Sequence, residues 1–355
     1  MNISIGLRCD AGRTMGSGHL VRCLALAEEL LARGCQVHLL GDIAQVPWAA
    51  TEVERLGITR HPPTETPDEL VAAARRLSLA AVVIDSYVLD PRCAGALRAA
   101  GVTVLAIVDG DLRGQDADLY LDQNLDAETA NPPLPPGATR LAGLRYALLR
   151  DVVRQHRPPA PRVPTERVPT VVAFFGGTDP FGAAPVLARL LVATGEPFRA
   201  TVVTATPEAA DEIAALAHAP GQSVITIPNT PHLPSLLATA DLVVSAAGTS
   251  TWELLCLGVC PALVRVADNQ RLGYDRMLAR GLAVGLGAID ALRRPGATTE
   301  HAVRELATLL REPSRRAEIA ARGWRLVDGA GRARVADALL AAIQRRSGRA
   351  DAAPR

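Results

Sequence analysis

The chain has 355 residues, enough for two domains that each bury a core of their own. Its 38 Lys and Arg balance 37 Asp and Glu, a formal net charge of +1, so it lacks the broad basic footprint that nucleic acid or an anionic membrane requires. No run of eighteen or more apolar residues predicts a membrane span, and the opening MNISIGLRCD lacks the basic, apolar and cleavage regions of a signal peptide.

The first half repeats one pattern, a short apolar strand, a polar or glycine-bearing turn and an Ala/Leu-rich helix. ISIGLRC leads into GHLVRCLALAEELLARG, whose apolar residues recur at helical spacing. QVHLLG, the helix DELVAAARRLS, the strand AAVVIDS, the helix PRCAGALRAAG and the strand TVLAIVD follow. Strands alternating with helices at this interval predict parallel βαβ units. The proline-bearing stretch 154–169 cannot sustain a helix and reads as a linker. After it come TVVAFFGG, RATVVTA, SVITIPN and DLVVSAAG, with helices between them.

The expected organisation is an N-terminal domain at 1–153, the linker, and a second domain at 170–331. A helix at 332–345 would cross back to the first domain, ahead of a loose tail at 346–355. The fold class is α/β, two Rossmann-like parallel-sheet domains facing a cleft. The six cysteines, Cys9, Cys23, Cys35, Cys93, Cys256 and Cys260, form no CxxC pair. Cys256 and Cys260, in the helix-like run ELLCLGVCPAL, read as buried small hydrophobes. A reduced, cytoplasmic setting is the simplest expectation.

Ligands of open parallel sheets bind beyond the carboxyl ends of the strands, and the unusual stretches fall there. After the first strand, DAGRTMGSGH carries Gly16 and Gly18 into a helix start that offers N–H groups to an anion. His19 and Arg22, three apart, share a face of that helix; one can accept a proton and the other is permanently cationic. FFGGTDP places Gly176 and Gly177 in a second such turn, with Thr178 or Asp179 as a plain capping alternative. After DLVVSAA, Gly248 leads to Thr249, Ser250 and Thr251, each able to cap the next helix, a start suited to a diphosphate. Glu253 is either a capping-box partner of Ser250 or an acceptor for ribose hydroxyls. The strand PALVRVA delivers Asn269 and Gln270 to the same edge.

GSGHLVRCLALAEEL, DSY at 85–87, DLYLDQN at 118–124, GLRYALLR, FFGGTDP and AGTSTWELLCLGVCPA with ADNQ together resemble the PseG/SpsG family. These are nucleotide-sugar hydrolases of pseudaminic acid synthesis and their spore-coat polysaccharide relatives. The resemblance implies a GT-B-like architecture of the MurG type and metal-independent hydrolysis of a UDP-linked deoxy amino sugar, with no cofactor. It implies His19 as the base that activates water and Tyr87 and Asn269 near the sugar. Glu253 would meet the ribose, and Gly248 to Thr251 would surround the diphosphate. The chemistry fits, because a helix start stabilises the leaving diphosphate while a base near neutrality deprotonates water.

One departure stands out. Where that family often has consecutive aspartates, this chain reads Asp109-Gly110-Asp111, which leaves the sugar open. The pair reads as turn capping rather than a metal site. The main alternative is a glycosyltransferase on the same scaffold, with His19 deprotonating an acceptor hydroxyl. A wide acceptor pocket in the first domain would favour it. A silent nucleotide-sugar-binding protein would be favoured by a buried His19 bonded away from the cleft. A nicotinamide-dependent dehydrogenase is disfavoured, because no GxGxxG follows the first strand.

Overall fold

In the computed structural model, which describes residues 3–12 and 16–351, the chain forms two α/β units. One is Met1–Asp151 with Gly329–Arg355, the other Val152–Asp328. Within DAGRTMGSGH, residues 13–15 lie outside the described residues, as do 352–355 of the tail.

The first unit holds β1 (Ser4–Cys9), β2 (Gln36–Leu39), β3 (Thr59–Arg60), β4 (Ala81–Asp85), β5 (Thr103–Ile107), β6 (Leu119–Asp122) and β7 (Thr139–Ala142). They pair in the order β3-β2-β1-β4-β5-β6-β7, all parallel. β4 and β5 are buried along their whole length, which is why they read as largely apolar runs rather than alternating ones. β1 is equally buried although it carries Ser4 and Arg8, Arg8 donating to the Thr64 carbonyl and to Asp10 at 2.6 Å each. The helix Gly18–Ala32 sets Leu20, Cys23, Leu24, Ala27 and Leu30 at helical spacing into the core around Ile5, Leu7 and Val83.

The helix Gly331–Asp351 adds Val335, Leu339, Ala342 and Ile343 to this same core. It runs beyond 345, where a loose tail was expected. Arg346 holds that stretch, donating to the Arg98 carbonyl at 3.1 Å and to Asp118 at 2.7 Å. At its start the buried Arg332 donates to Glu28 at 2.5 Å, Glu29 at 3.2 Å and Asp151 at 2.5 Å.

The second unit holds β8 (Thr170–Phe174), β9 (Phe198–Thr204), β10 (Gln222–Pro228), β11 (Leu242–Ala246), β12 (Cys260–Arg265) and β13 (Val284–Ala288), in the order β10-β9-β8-β11-β12-β13. All pairings are again parallel. Each unit is therefore a Rossmann-like sheet with the order of strands reversing beside its first strand.

Two local expectations change. The proline-rich stretch is not a bare connector, because its arginines strap it to the second unit. Arg157 donates to the carbonyls of Cys256 (2.8 Å) and Trp324 (2.9 Å) and lies 4.4 Å over the Trp324 ring, whose Nε1 donates to the Pro158 carbonyl. The run ELLCLGVCPAL is not one helix. Gly258 takes a left-handed φ of 60° and ends the helix Thr251–Leu257, so Cys256 is helical while Cys260 opens β12. All six thiols are free and buried.

Removing one partner of a buried ion pair leaves the rest uncompensated. Arg332→Ala should cost about 3 kcal/mol of stability, read from urea denaturation with an unchanged m value.

Candidate functional site

In the first unit the polar groups gather where β1, β4, β5 and β6 end. β4 closes on Asp85, a carboxylate with no exposed surface, beside β1, which feeds the loop before the Gly18 helix. His19, in the first turn of that helix, is 6% exposed, and its Nδ1 meets Asp85 Oδ1 at 2.6 Å. One turn on, the buried Arg22 donates to the same carboxylate through Nε (2.5 Å) and Nη2 (2.6 Å). Its outer face reaches Asp109, after β5, with two contacts of 3.1 Å.

Asp109 is held from further sides. The Tyr87 hydroxyl donates to it at 2.5 Å and Asn124 Nδ2 at 2.8 Å, and Asn124 also donates to Asp122 at the end of β6. The Tyr87 ring stands edge-on to His19, centroids 4.6 Å apart, under the Arg113 guanidinium at 4.5 Å. The result is one continuous network, His19–Asp85–Arg22–Asp109–Tyr87, in which a single guanidinium joins two carboxylates.

Its electrostatics follow from that cation. Burial alone would raise both carboxyls, but Arg22 overcomes it and holds Asp85 and Asp109 below their ordinary range. Burial would in turn lower the Arg22 guanidinium, and Asp85 more than reverses this. The Tyr87 phenol is pushed up by burial and by the Asp109 charge, so it remains a donor. A carboxylate that stays ionised favours the proton on Nδ1 of His19. Among the described residues no bond to Nε2 is made, which leaves that nitrogen to accept a proton. His19 is buried, as a purely structural histidine would be, yet its partner lies within the strand-end cluster.

Arg22 is thus engaged by protein carboxylates. The Gly16 turn is closed by reciprocal backbone bonds with Gly12, at φ +76° for Gly16, and the helix start at Gly18 has no side-chain cap. Neither the Asp109–Asp111 pair nor any other group of three or more His, Cys, Asp or Glu among the described residues forms a metal cluster. In the sequence Asp85 and Asn124 stand out only inside the motifs DSY and DLYLDQN, and Asp109 only in the Asp-Gly-Asp departure, none with a site role of its own. A lone acid ending an otherwise apolar strand was the available signal for Asp85.

In the second unit the two glycine-rich turns follow β8 and β11. Asp179 fills the helix start after Gly176 and Gly177, accepting from the Ala183 and Ala184 N–H groups at 2.9 Å each. Asn229 donates to the Gly177 carbonyl at 2.5 Å. After β11 no side-chain cap forms at Ser250, so the capping box with Glu253 is absent. The N–H groups of Thr251 and Trp252 turn back to Gly248 and Thr249, and Thr251 and Glu253 are buried. Gln270 accepts from the Val266 N–H at 3.0 Å and brings its amide nitrogen beside Gly248. Asn269 is exposed next to it.

No family model matches the chain, and no curated protein matches it. Solved structures do. Acinetobacter baumannii MurG aligns with a TM-score of 0.70 at 16% identity, over 96% of this chain and 99% of its own. Arabidopsis thaliana UGT89C1 complexed with UDP aligns at 0.66 and 14%, over 97% and 100%. The spinosyn rhamnosyltransferase SpnG complexed with thymidine diphosphate aligns at 0.60 and 17%, over 92% and 96%. The neighbours include glycosyltransferases and also a putative UDP-N-acetylglucosamine 2-epimerase from Listeria monocytogenes (TM-score 0.57, 11% identity, 94% of this chain and 95% of its own), and at these identities the likeness establishes the two-domain GT-B fold alone.

A depressed carboxyl stabilises fully above its ordinary value of 3.8 and loses that stabilisation as pH falls through the lower folded value. Asp109→Asn should cost about 1–3 kcal/mol at neutral pH. The difference in Tm between parent and variant should hold above about pH 5 and shrink below the ordinary carboxyl range, read by thermal melts across pH.

Proposed function

We propose that the chain transfers a sugar from a nucleoside diphosphate to an oxygen nucleophile deprotonated by His19. The carrying observation is the Asp85 carboxylate on His19 Nδ1, which supports Nε2 as the proton acceptor. The glycosyltransferase neighbours favour the hydroxyl of an acceptor molecule as that nucleophile. A second reading, hydrolysis with water as nucleophile, is supported by the motif resemblance at GSGH, DSY and AGTSTWELL. It would release UDP and a free deoxy amino sugar.

In either case Nε2 takes the proton as the oxygen attacks the anomeric carbon, and the bond from that carbon to the diphosphate oxygen breaks. The diphosphate leaves with the bonding pair. Gly248, Thr249, Ser250 and Thr251 would stabilise its charge, with Gln270 alongside, and Glu253 would accept from the ribose. Gly16 and Gly18 would let the backbone approach the ligand closely, while Gly176 and Gly177 would shape the turn after β8. Tyr87 and Asn269 would border the sugar. Asp109 accepts from Arg22, Tyr87 and Asn124, and the reading uses no nucleophile besides the incoming oxygen. A single displacement inverts the anomeric centre.

The test offers UDP- and TDP-sugars with and without a polyhydroxyl acceptor and follows nucleoside diphosphate release. Release that requires the acceptor supports transfer, release without it supports hydrolysis, and none with any donor contradicts both. His19→Ala should lower kcat by about 10²–10⁴ with UDP binding unchanged. Glu253→Ala should weaken UDP binding by roughly tenfold, read by calorimetry, through loss of hydrogen bonds to a charged acceptor.

A further inference from the structure

The second unit carries a small cavity at the opposite end of its strands from the turn at 248–251. About 40 Å³ in volume, it lies where β11 and β12 begin, bordered there by Asp241 and Cys260, and residues 162–165 cover one side. The helix Pro313–Leu326 forms another side with Pro313, Arg316, Ala317 and Ala320, whose spacing of three and four puts them on one face. The two alanines leave room there. The space exceeds the roughly 10–15 Å³ that holds one water but is far below the roughly 300–1,000 Å³ of a drug-sized ligand.

Two arginines line this cavity without a carboxylate of their own. Arg162, half-buried, donates to the Ala240 carbonyl at 2.9 Å and to that of Ala238, where the helix Leu233–Thr239 ends. Arg316, 5% exposed, donates through Nη1 alone, to the carbonyls of Leu309 and Leu310 in the last turn of the helix Ala297–Arg311. Neither forms an ion pair among the described residues. Asp241, the one acid in the lining, accepts from the Thr170 N–H and hydroxyl at 2.8 Å each and pairs with Arg167 at 3.0 Å. Burial accordingly pushes both guanidiniums down from their ordinary value, whereas Arg22, faced by two carboxylates, is pushed up.

The carbonyl bonds cap two helices, yet they bring only partial negative charge, and a buried cation without a counter-ion is costly. Each guanidinium has five N–H donors, and Nε and Nη2 of Arg316 make no bond among the described residues. With Asp241 matched by Arg167, the lining keeps the positive charge of both other arginines.

We propose that this cavity binds a small inorganic anion of chloride size between Arg162 and Arg316, and that the anion helps fasten the stretch 154–169 to the second unit. In the test the full chain is melted at fixed ionic strength while chloride replaces gluconate, and ³⁵Cl NMR follows binding directly. Tm should rise saturably, by about 2–4 °C once chloride is well above its Kd, and the ³⁵Cl line should broaden. Arg162→Met keeps an apolar stem without the charge and should abolish both effects.

Because Arg316 also caps a helix, the second variant is Ala317→Asp. It supplies a carboxylate from within the cavity and should likewise make Tm indifferent to chloride. No chloride response in the parent chain, or a rise that does not saturate and survives both substitutions, would overturn the proposal.

Discussion

The first unit's chemistry depends on one guanidinium. Arg22 lies buried against the buried Asp85 and the partly buried Asp109, whose charges would repel across a poorly solvated space without it. With it, both stay ionised, and Asp85 can present an oxygen to the His19 ring. The cost of burying three charges is offset by near-complete hydrogen bonding: bidentate contacts to Asp85, two contacts to Asp109, and Tyr87 and Asn124 on the outer carboxylate. Arg22 thus holds the carboxylate that meets His19.

The two units share a topology but treat their helix starts differently. After β8, Asp179 supplies an internal carboxylate where an anion would otherwise sit. After β11, the Ser250 side chain leaves the helix start uncapped, and Glu253 is buried one turn in. That contrast fits the proposal that a diphosphate binds at 248–251.

Much of the fold was legible because buried parallel strands leave unbroken apolar runs, as at 81–85 and 170–174, and amphipathic helices leave a period near four, as at 18–32. Short or polar edge strands were not. Thr59–Arg60 is two exposed residues whose conformation is set by pairing with β2, and Val284–Ala288 carries two glycines. His19 and Arg22 stood out by residue type and spacing and Tyr87 through the resemblance, and all three lie in one network. Asp109 stood out only in the Asp-Gly-Asp departure, since its bonds to residues 22, 87 and 124 form only when the folded sheet brings them together. Nor could spacing tell that Asp109 and Asp111 face different neighbours, a consequence of the left-handed turn at Gly110.

The Asp85 carboxylate at His19 Nδ1 should fix which ring nitrogen carries the proton. ¹⁵N NMR of selectively labelled histidine, with His19 assigned through His19→Gln, reads this directly. The neutral imidazole should carry its proton on Nδ1 with Nε2 bare, and Asp85→Asn should weaken that preference. A neutral ring protonated on Nε2 would contradict the account, because no proton acceptor would then face a substrate.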